Sequence, residues 1–573
     1  MIPGITKFPQ APIASLPAGL RASTPNQFAA LLTNPDAELV ILLIASPFSS
    51  SVTRKISALP AMVAALPIAS GKCISIVGGE DDLYLSDKGY TTDASDSIPH
   101  MNFPGRLSPA LSRTISLFDS SEPTGAGVTS IGDVVIQNND GEMDALLEKA
   151  WDGRDLKLIA GQEGIPLNAF GTVLKGTALS INANNKRISL RINDPAAFFQ
   201  LPLERNKFAG TGGAEGDSDL KDQSRPYVAG RVRNITPYLV SSSDLLYQVH
   251  DGEVSAIDGV RDKGVALTSA GDWSTVTALL AATTGIGGSG ADIEAGEYGT
   301  CLAEGYFRLG GQPVGLTTAD VKGDADPDYV ETTGAIVKRI VSSRLGAFNL
   351  QNDRLELSSF SRLDTAQPAT VGVYVDQDST VANVITSLMN GVGGYWYFNR
   401  AGKLVVDRLE SPSAPVVEID DEDIDSIFRL DLPVPVWRRS VTWFKSWTKQ
   451  GPDELAGSVV DADRQLYGND FRYAVNEDSA IKNKHRFARK VITPGLFDIE
   501  ADAIAESERL ALLHGVDRSR YRIKIKRALF RISPNNHIKI TYPRYNLTAG
   551  RDFVVAALQE ESKTGTTTLE VWG

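Results

Sequence analysis

Carboxylates at alternating positions are the first sign of chemistry in this chain. In Glu418–Asp425, read as EIDDEDID, Asp421, Asp423 and Asp425 have the 1, 3, 5 spacing of a calcium loop. That spacing works because alternate side chains converge on one hard cation. The loop then fails: its sixth position is Ser426 where Gly is needed, and its twelfth is Leu432 where a bidentate Glu is needed. The run reads as a solvated acidic turn or helix start. Thr283–Asp292 (TTGIGGSGAD) and Ala209–Asp217 (AGTGGAEGD) are Gly-rich, but neither has the Lys-Ser/Thr ending of a phosphate loop or a buried strand before it. They read as surface loops. Gly71–Cys73 (GKC) ends in Cys and misses the same pattern.

His100, His250, His485, His514 and His537 form no HExxH or HxH arrangement, and none has a Cys nearby. Cys73 and Cys301 lie in strand-like contexts, KCISIV and TCLAEG, where Cys is usually core. Two distant cysteines cannot form a disulfide framework or a Cys-rich metal site, so folding in a reducing cytosol is expected. A Cys–His pair across the fold, or a glycosidase carboxylate pair, has no local signature. Spacing thus assigns no catalytic, cofactor-binding or metal-ligating residue.

A second cluster mixes aromatic rings and cations: Trp437, Trp443, Phe444 and Trp447 with Arg438, Arg439, Lys445 and Lys449. Such interleaving can stack single-stranded nucleic acid. The alternation Val441, Trp443, Lys445, Trp447 instead places both Trp side chains on one strand face, as in a core or a subunit interface. The formal net charge of -13 also argues against broad phosphate binding. The first residues, MIPGITKFPQAPIASLPAGL, lack a basic segment followed by a long apolar one, so no leader is expected. Leu39–Ala45 is too short to span a bilayer.

The elements that carry these residues follow from periodicity. At roughly 150 residues per domain, 573 residues predict about four domains. The stretch Gly132–Gly161 parses as strand, turn, helix, turn and strand. Asn139-Asp140-Gly141 supplies the turn and cap, and Met143, Leu146, Leu147, Ala150 and Trp151 fall on one helical face. Gly171–Leu174, Ala178–Asn182 and Arg187–Ile192 read as a meander turning at Asn184-Asn185. A hairpin turn is expected at Asp251-Gly252. Helices are expected over 273–283, 328–344, 379–390 and 498–514, and a hairpin over Tyr395–Leu409. The expected organisation is an N-terminal arm (1–36), a strand-rich domain (37–204), an inserted β-rich domain (205–329), a small α+β domain (330–435) and a second strand-rich domain (436–573). The fold class is multidomain and mainly β, with one packing helix in each end domain.

In this order the segments resemble the tail-tip or baseplate hub proteins of long-tailed, siphovirus-like bacteriophages. The carrying segments are LYLSDKGYTT (Leu83–Thr92), NNDGEMDALL (Asn138–Leu147), RPYVAGRVRNITPYLV (Arg225–Val240), YQVHDGEVSAI (Tyr247–Ile257), YFRLGGQPVGLTTADVKGD (Tyr306–Asp324), GYWYFNRAGKLVV (Gly394–Val406), TYPRYNLTAGRDFVV (Thr541–Val555) and LEVWG (Leu569–Gly573). Each is short; their order and spacing carry the likeness, which has no counterpart for 1–36. The resemblance implies a non-enzymatic structural virion protein, made in the bacterial cytoplasm and built into the tail tip. It implies two tail-tube-like β-barrel or sandwich domains per chain, so that a homotrimer forms a pseudo-hexameric ring joining a six-fold tube to a three-fold tip. The implied partners are the tail tube or distal tail protein, the tape measure protein and central fibre or receptor-binding proteins. DNA passes through without specific binding, no cofactor is needed and no membrane insertion is expected. Two other functions stay open: a tail adhesin for a host receptor or carbohydrate, and a tail-associated cell-wall hydrolase.

Overall fold

The run Leu39–Ala45 (LVILLIA) has no polar side because both of its faces are covered. Ile41, Leu43 and Ala45 enter one apolar cluster, and Val40 and Leu42 enter another. Strand pleating sends alternate side chains to opposite faces, so two cores yield a continuous apolar sequence. The computed structural model describes residues 39–45, 47, 82–108, 112–118, 122–204, 206–285, 290–431, 434–526 and 530–573, and the backbone of 51–54 and 74–77. The expected arm, Cys73 and the Gly71–Cys73 motif lie outside the described residues.

Leu39–Ala45 sits within a six-stranded antiparallel sheet. Its order is Leu83–Ser86, Leu39–Ala45, Asp155–Gln162, Gly171–Asn184, Arg187–Asn193 and Val134–Gln137. Two of the expected strands are one long strand, Gly171–Asn184, with a register shift between Ala178 and Ser180. Asn184 pairs with Arg187, so the turn is Asn185-Lys186, one residue later than expected. The Asn184 carboxamide oxygen accepts from the backbone N–H groups of Lys186 and Arg187, both at 3.0 Å, and holds that turn.

The amphipathic helix expected at Met143–Trp151 does not form. In its place is a short 3-10 helix, Asp144–Glu148, and Leu147 is exposed. Local side chains compete for the backbone here. Asn138 accepts from the Met143 N–H at 3.0 Å and donates to Asp144 at 2.7 Å. The Trp151 indole donates to the Leu146 carbonyl at 2.8 Å, occupying an oxygen that a continuing α-helix would use. Trp151 is nonetheless buried in the sheet's cluster, as expected.

A larger sheet draws strands from three of the expected regions. Its order is Leu404–Arg408, Gly394–Phe398, Pro123–Ile131, Ser112–Phe118, Leu547–Glu561, Thr566–Trp572, Arg520–Lys526 and Ile424–Leu430. His537–Tyr542 pairs with both Leu547–Glu561 and Val417–Ile419. Ser112–Phe118 and Pro123–Ile131 thus leave their sequence neighbours and join the two C-terminal regions.

The middle of the chain is a sandwich of two five-stranded sheets. One has the order Val265–Ala266, Val254–Asp262, Thr317–Asp324, Tyr227–Ile235, Gly372–Val375. The other has Tyr238–Ser241, Leu246–Gln248, Tyr306–Leu309, Glu297–Cys301, Thr268–Asp272. Val232, Ile235, Tyr247, Val260, Phe307 and Val321 are buried in one shared cluster. The hairpin expected at Asp251-Gly252 is absent: Leu246–Gln248 and Val254–Asp262 belong to different sheets, and the chain crosses between layers there.

Helices Val276–Ala281, Thr333–Ser343 and Glu500–His514 lie within the spans expected of them, and Val381–Gly391 runs one residue past its expected end at Asn390. Leu357–Ala366, Asp461–Tyr467 and Ser479–Lys484 are further helices without strong local signatures. No described helix is long and apolar enough to cross a membrane.

Candidate assembly surface

The residues that could have done chemistry are mostly committed to the fold. Asp421 and Asp423 lie in the exposed turn between Val417–Ile419 and Ile424–Leu430, and Asp425 lies 3.5 Å from Lys524. No group of three His, Cys, Asp or Glu among the described residues is arranged to hold a metal ion. His250 is buried, its Nδ1 accepts from the Val228 N–H at 3.0 Å, and burial pushes it down to about 3. Burial likewise pushes His514 down to about 4. His485 pairs with Asp517 at 3.2 Å, and His537 lies 2.7 Å from the Ser413 carbonyl. His100 is in an exposed turn with φ 54°. Burial raises the Cys301 thiol to about 11, which withdraws the thiolate a nucleophile requires.

The expected alternation of Trp443 and Trp447 along one strand is broken. The strand Val436–Trp443 ends there, and Phe444 has φ 47°, outside the extended region. Trp447 leaves the strand and meets Tyr374 edge-on at 5.9 Å. The cations beside these rings are spent on them: Lys445 lies 3.4 Å from the centroid of Trp447, Arg472 5.6 Å from Trp443, and Lys482 4.5 Å from Trp437. Burial pushes Lys445 down to about 8.

Buried ion pairs tie distant parts of the chain together. Arg233 grips Asp498 through two hydrogen bonds of 2.7 and 3.0 Å, and Asp320 accepts two from Arg261 at 2.9 and 2.6 Å. Arg439, almost wholly buried, donates to both oxygens of Glu122 at 3.2 and 3.1 Å. Burial pushes the Glu122 carboxyl up, but neighbouring cations including Arg439 outweigh this and hold it below the usual range. Arg400 pairs with Glu560 at 2.5 Å with both side chains largely buried. Such pairs cost desolvation and fix geometry, since removing one partner strands the other.

What the fold leaves open is a surface. A three-stranded sheet has the order Arg472–Glu477, Val436–Trp443, Arg489–Phe497. Ala474 and Val441 on one face share a core with Ala503, Leu510 and Leu513 of the helix Glu500–His514. On the opposite face the register aligns Val475, Ser440 and Ile492 in one row across all three strands, with Tyr473 beside Thr442. Tyr473, Val475 and Ile492 are 53%, 43% and 61% exposed, and nearby in the chain Phe487 is 85% exposed. Ser440 and Thr442 between them are buried, so the exposed apolar groups flank the central strand, and such groups left in water make this face a candidate for association. Sequence reasoning missed it. The available signal was the alternation around Ala474 in Tyr473-Ala474-Val475.

No protein-family model and no curated protein matches the chain. Among solved structures it is similar to a tail protein from Neisseria meningitidis MC58, at 10% identity over 81% of this chain and 92% of that one, with a TM-score of 0.33. It is similar to the 43 kDa tail protein of prophage MuSo2 from Shewanella oneidensis, at 10% identity over 82% and 94%, with a TM-score of 0.33. It is also similar to a chain from the virion of a native gene transfer agent particle, at 11% identity over 61% and 84%, with a TM-score of 0.36. TM-scores of this size do not establish a common fold.

Proposed function

We propose that this chain is a structural protein of a bacteriophage tail: a tail-tip or baseplate hub that assembles as a homotrimer. In this reading the trimer forms a pseudo-hexameric ring, joins the tail tube to the tip, anchors fibre or receptor-binding proteins and lets DNA pass. The protein acts by holding shape and not by catalysis.

The observation that carries the reading is the exposed apolar trio Tyr473, Val475 and Ile492 on one face of the three-stranded sheet, on a body cross-tied by buried arginine–carboxylate pairs. A rigid body with one face made for association is what a ring subunit requires. The order of the segments quoted above supports the assignment to a tail tip.

Mass photometry of the purified chain, alone and with tail extract, tests this. Three copies are expected, and Ile492→Glu with Tyr473→Lys should lower the assembled fraction while leaving the circular-dichroism spectrum unchanged. A stable six-copy ring in the particle, or assembly indifferent to both substitutions, would overturn it. Cell binding by the isolated chain, or lysis of cell wall in a zymogram, would favour the adhesin or the hydrolase.

A further inference from the structure

A cavity of about 620 Å³ opens between the C-terminal end of the helix Glu500–His514, the start of Arg489–Phe497, the end of Ile424–Leu430 and Trp572. Three guanidinium groups line it: Arg429, Arg489 and Arg518. They come from three separate parts of the chain, and none makes a hydrogen-bonded ion pair among the described residues.

Each charge can be followed. The nearest carboxylate to Arg489 is Glu122 at 3.8 Å, beyond hydrogen-bonding distance. Both Glu122 oxygens are already engaged by Arg439. The Nε of Arg489 is buried with no acceptor. Arg518 donates to the Leu513 carbonyl at 3.2 Å and to Ser411 at 3.4 Å, and stacks 4.8 Å from the centroid of Trp572. It has no ion pair among the described residues. Burial and then Arg551 push its pKa down, as happens to a cation without a counter-charge. Arg429 is exposed and has no ion pair among the described residues.

The acids in the cavity do not balance this. Asp517 is held by Lys484 and His485. Asp431 is the remaining carboxylate of the lining. A bare anion would gain from the arginines and be repelled by Asp431. A ligand with an oxyanion at one end and hydroxyl donors at the other would satisfy both, since carboxylates accept hydrogen bonds from hydroxyls. The volume suits a body of sugar size.

We propose that this cavity is a binding site for an acidic sugar unit, its carboxylate or phosphate held by Arg489 and Arg518 with Arg429 at the mouth, and its hydroxyls directed to Asp431 and Asp517. The assignment does not depend on the hub reading.

Isothermal titration of the full chain with glucose, glucuronic acid and glucose 6-phosphate tests it, because the three probes share a ring and differ in charge. At least one charged sugar should bind and glucose should not; which one binds tells carboxylate from phosphate. Arg429→Gln touches an exposed side chain and should leave folding intact, yet weaken binding about threefold. Arg489→Gln should weaken it about tenfold, the loss of one charge-assisted contact. Equal binding of glucose, no binding of any probe at millimolar concentration, or unchanged affinity in both variants would overturn the site. Stronger, arginine-dependent binding of an oligothymidylate would also overturn it, in favour of nucleic-acid contact.

Discussion

Truncating Trp151 tests whether the 3-10 turn that replaces the expected helix is held by packing or by its hydrogen bond. The side chain is 3% exposed in the core of the six-stranded sheet. Its indole donates to the Leu146 carbonyl at 2.8 Å. Trp151→Ala removes the ring and leaves a cavity, which should cost about 3–5 kcal/mol. Trp151→Phe retains most of the buried ring and loses the indole donor. The Leu146 carbonyl keeps a longer bond of 3.4 Å from the Lys149 N–H, so the bond itself accounts for only about 1 kcal/mol. Phe should therefore recover a large share of the loss. A multidomain chain need not unfold in one step, so the readout should be local. Hydrogen exchange of peptides within 134–193, over a denaturant series, reports the opening free energy of this sheet. An alanine cost under about 1 kcal/mol would mean the core does not depend on the ring. A phenylalanine cost equal to that of alanine would mean the hydrogen bond dominates the packing.

Three further outcomes are expected. Burial holds folded His250 and His514 at about 3 and about 4, whereas an unfolded histidine titrates near 6.5. Between about pH 6.5 and 4 the unfolded chain therefore binds more protons, so stability falls as pH falls, by up to about 1.4 kcal/mol per unit for each histidine. Melting temperatures from pH 7 to 5 should drop, less steeply in His514→Gln; a flat profile would contradict the burial. Glu560→Ala strands Arg400, in the turn between Gly394–Phe398 and Leu404–Arg408, and should cost about 3–5 kcal/mol in a denaturant titration, whereas a cost near zero would mean the pair is solvated. In an assembled ring, the lumen wall should carry more Asp and Glu than Lys and Arg, with Trp437–Lys449 facing away, because clustered cations would grip the DNA backbone. A density map of the tip with Trp443 and Trp447 exposed to the channel would refute this.

Most of the local elements are legible in the chain's periodicity. The apolar run Leu39–Ile44 reads as a strand, Val381–Gly391 and Glu500–His514 as helices, and Gly394–Phe398 with Leu404–Arg408 as a hairpin. In each, periodicity and a nearby turn or stop residue lie within a few residues of one another. The mainly β class followed from the number of such strands. Tertiary structure decided where they went. Leu558 pairs with Ile115 from the far side of the chain, and nothing near either residue specifies that partner. The Met143–Trp151 stripe had helical spacing, yet side-chain hydrogen bonds to its own backbone outcompeted the helix. The proposed association surface combines Tyr473, Val475 and Ile492 from two strands on either side of a third, and the cavity combines Arg429, Arg489 and Arg518. None of these has a motif, because a charge or an apolar side chain acquires its role only from what the folded chain places beside it. Burial, pairing and register are properties of contacts between distant segments, and a local pattern in sequence cannot encode them one residue at a time.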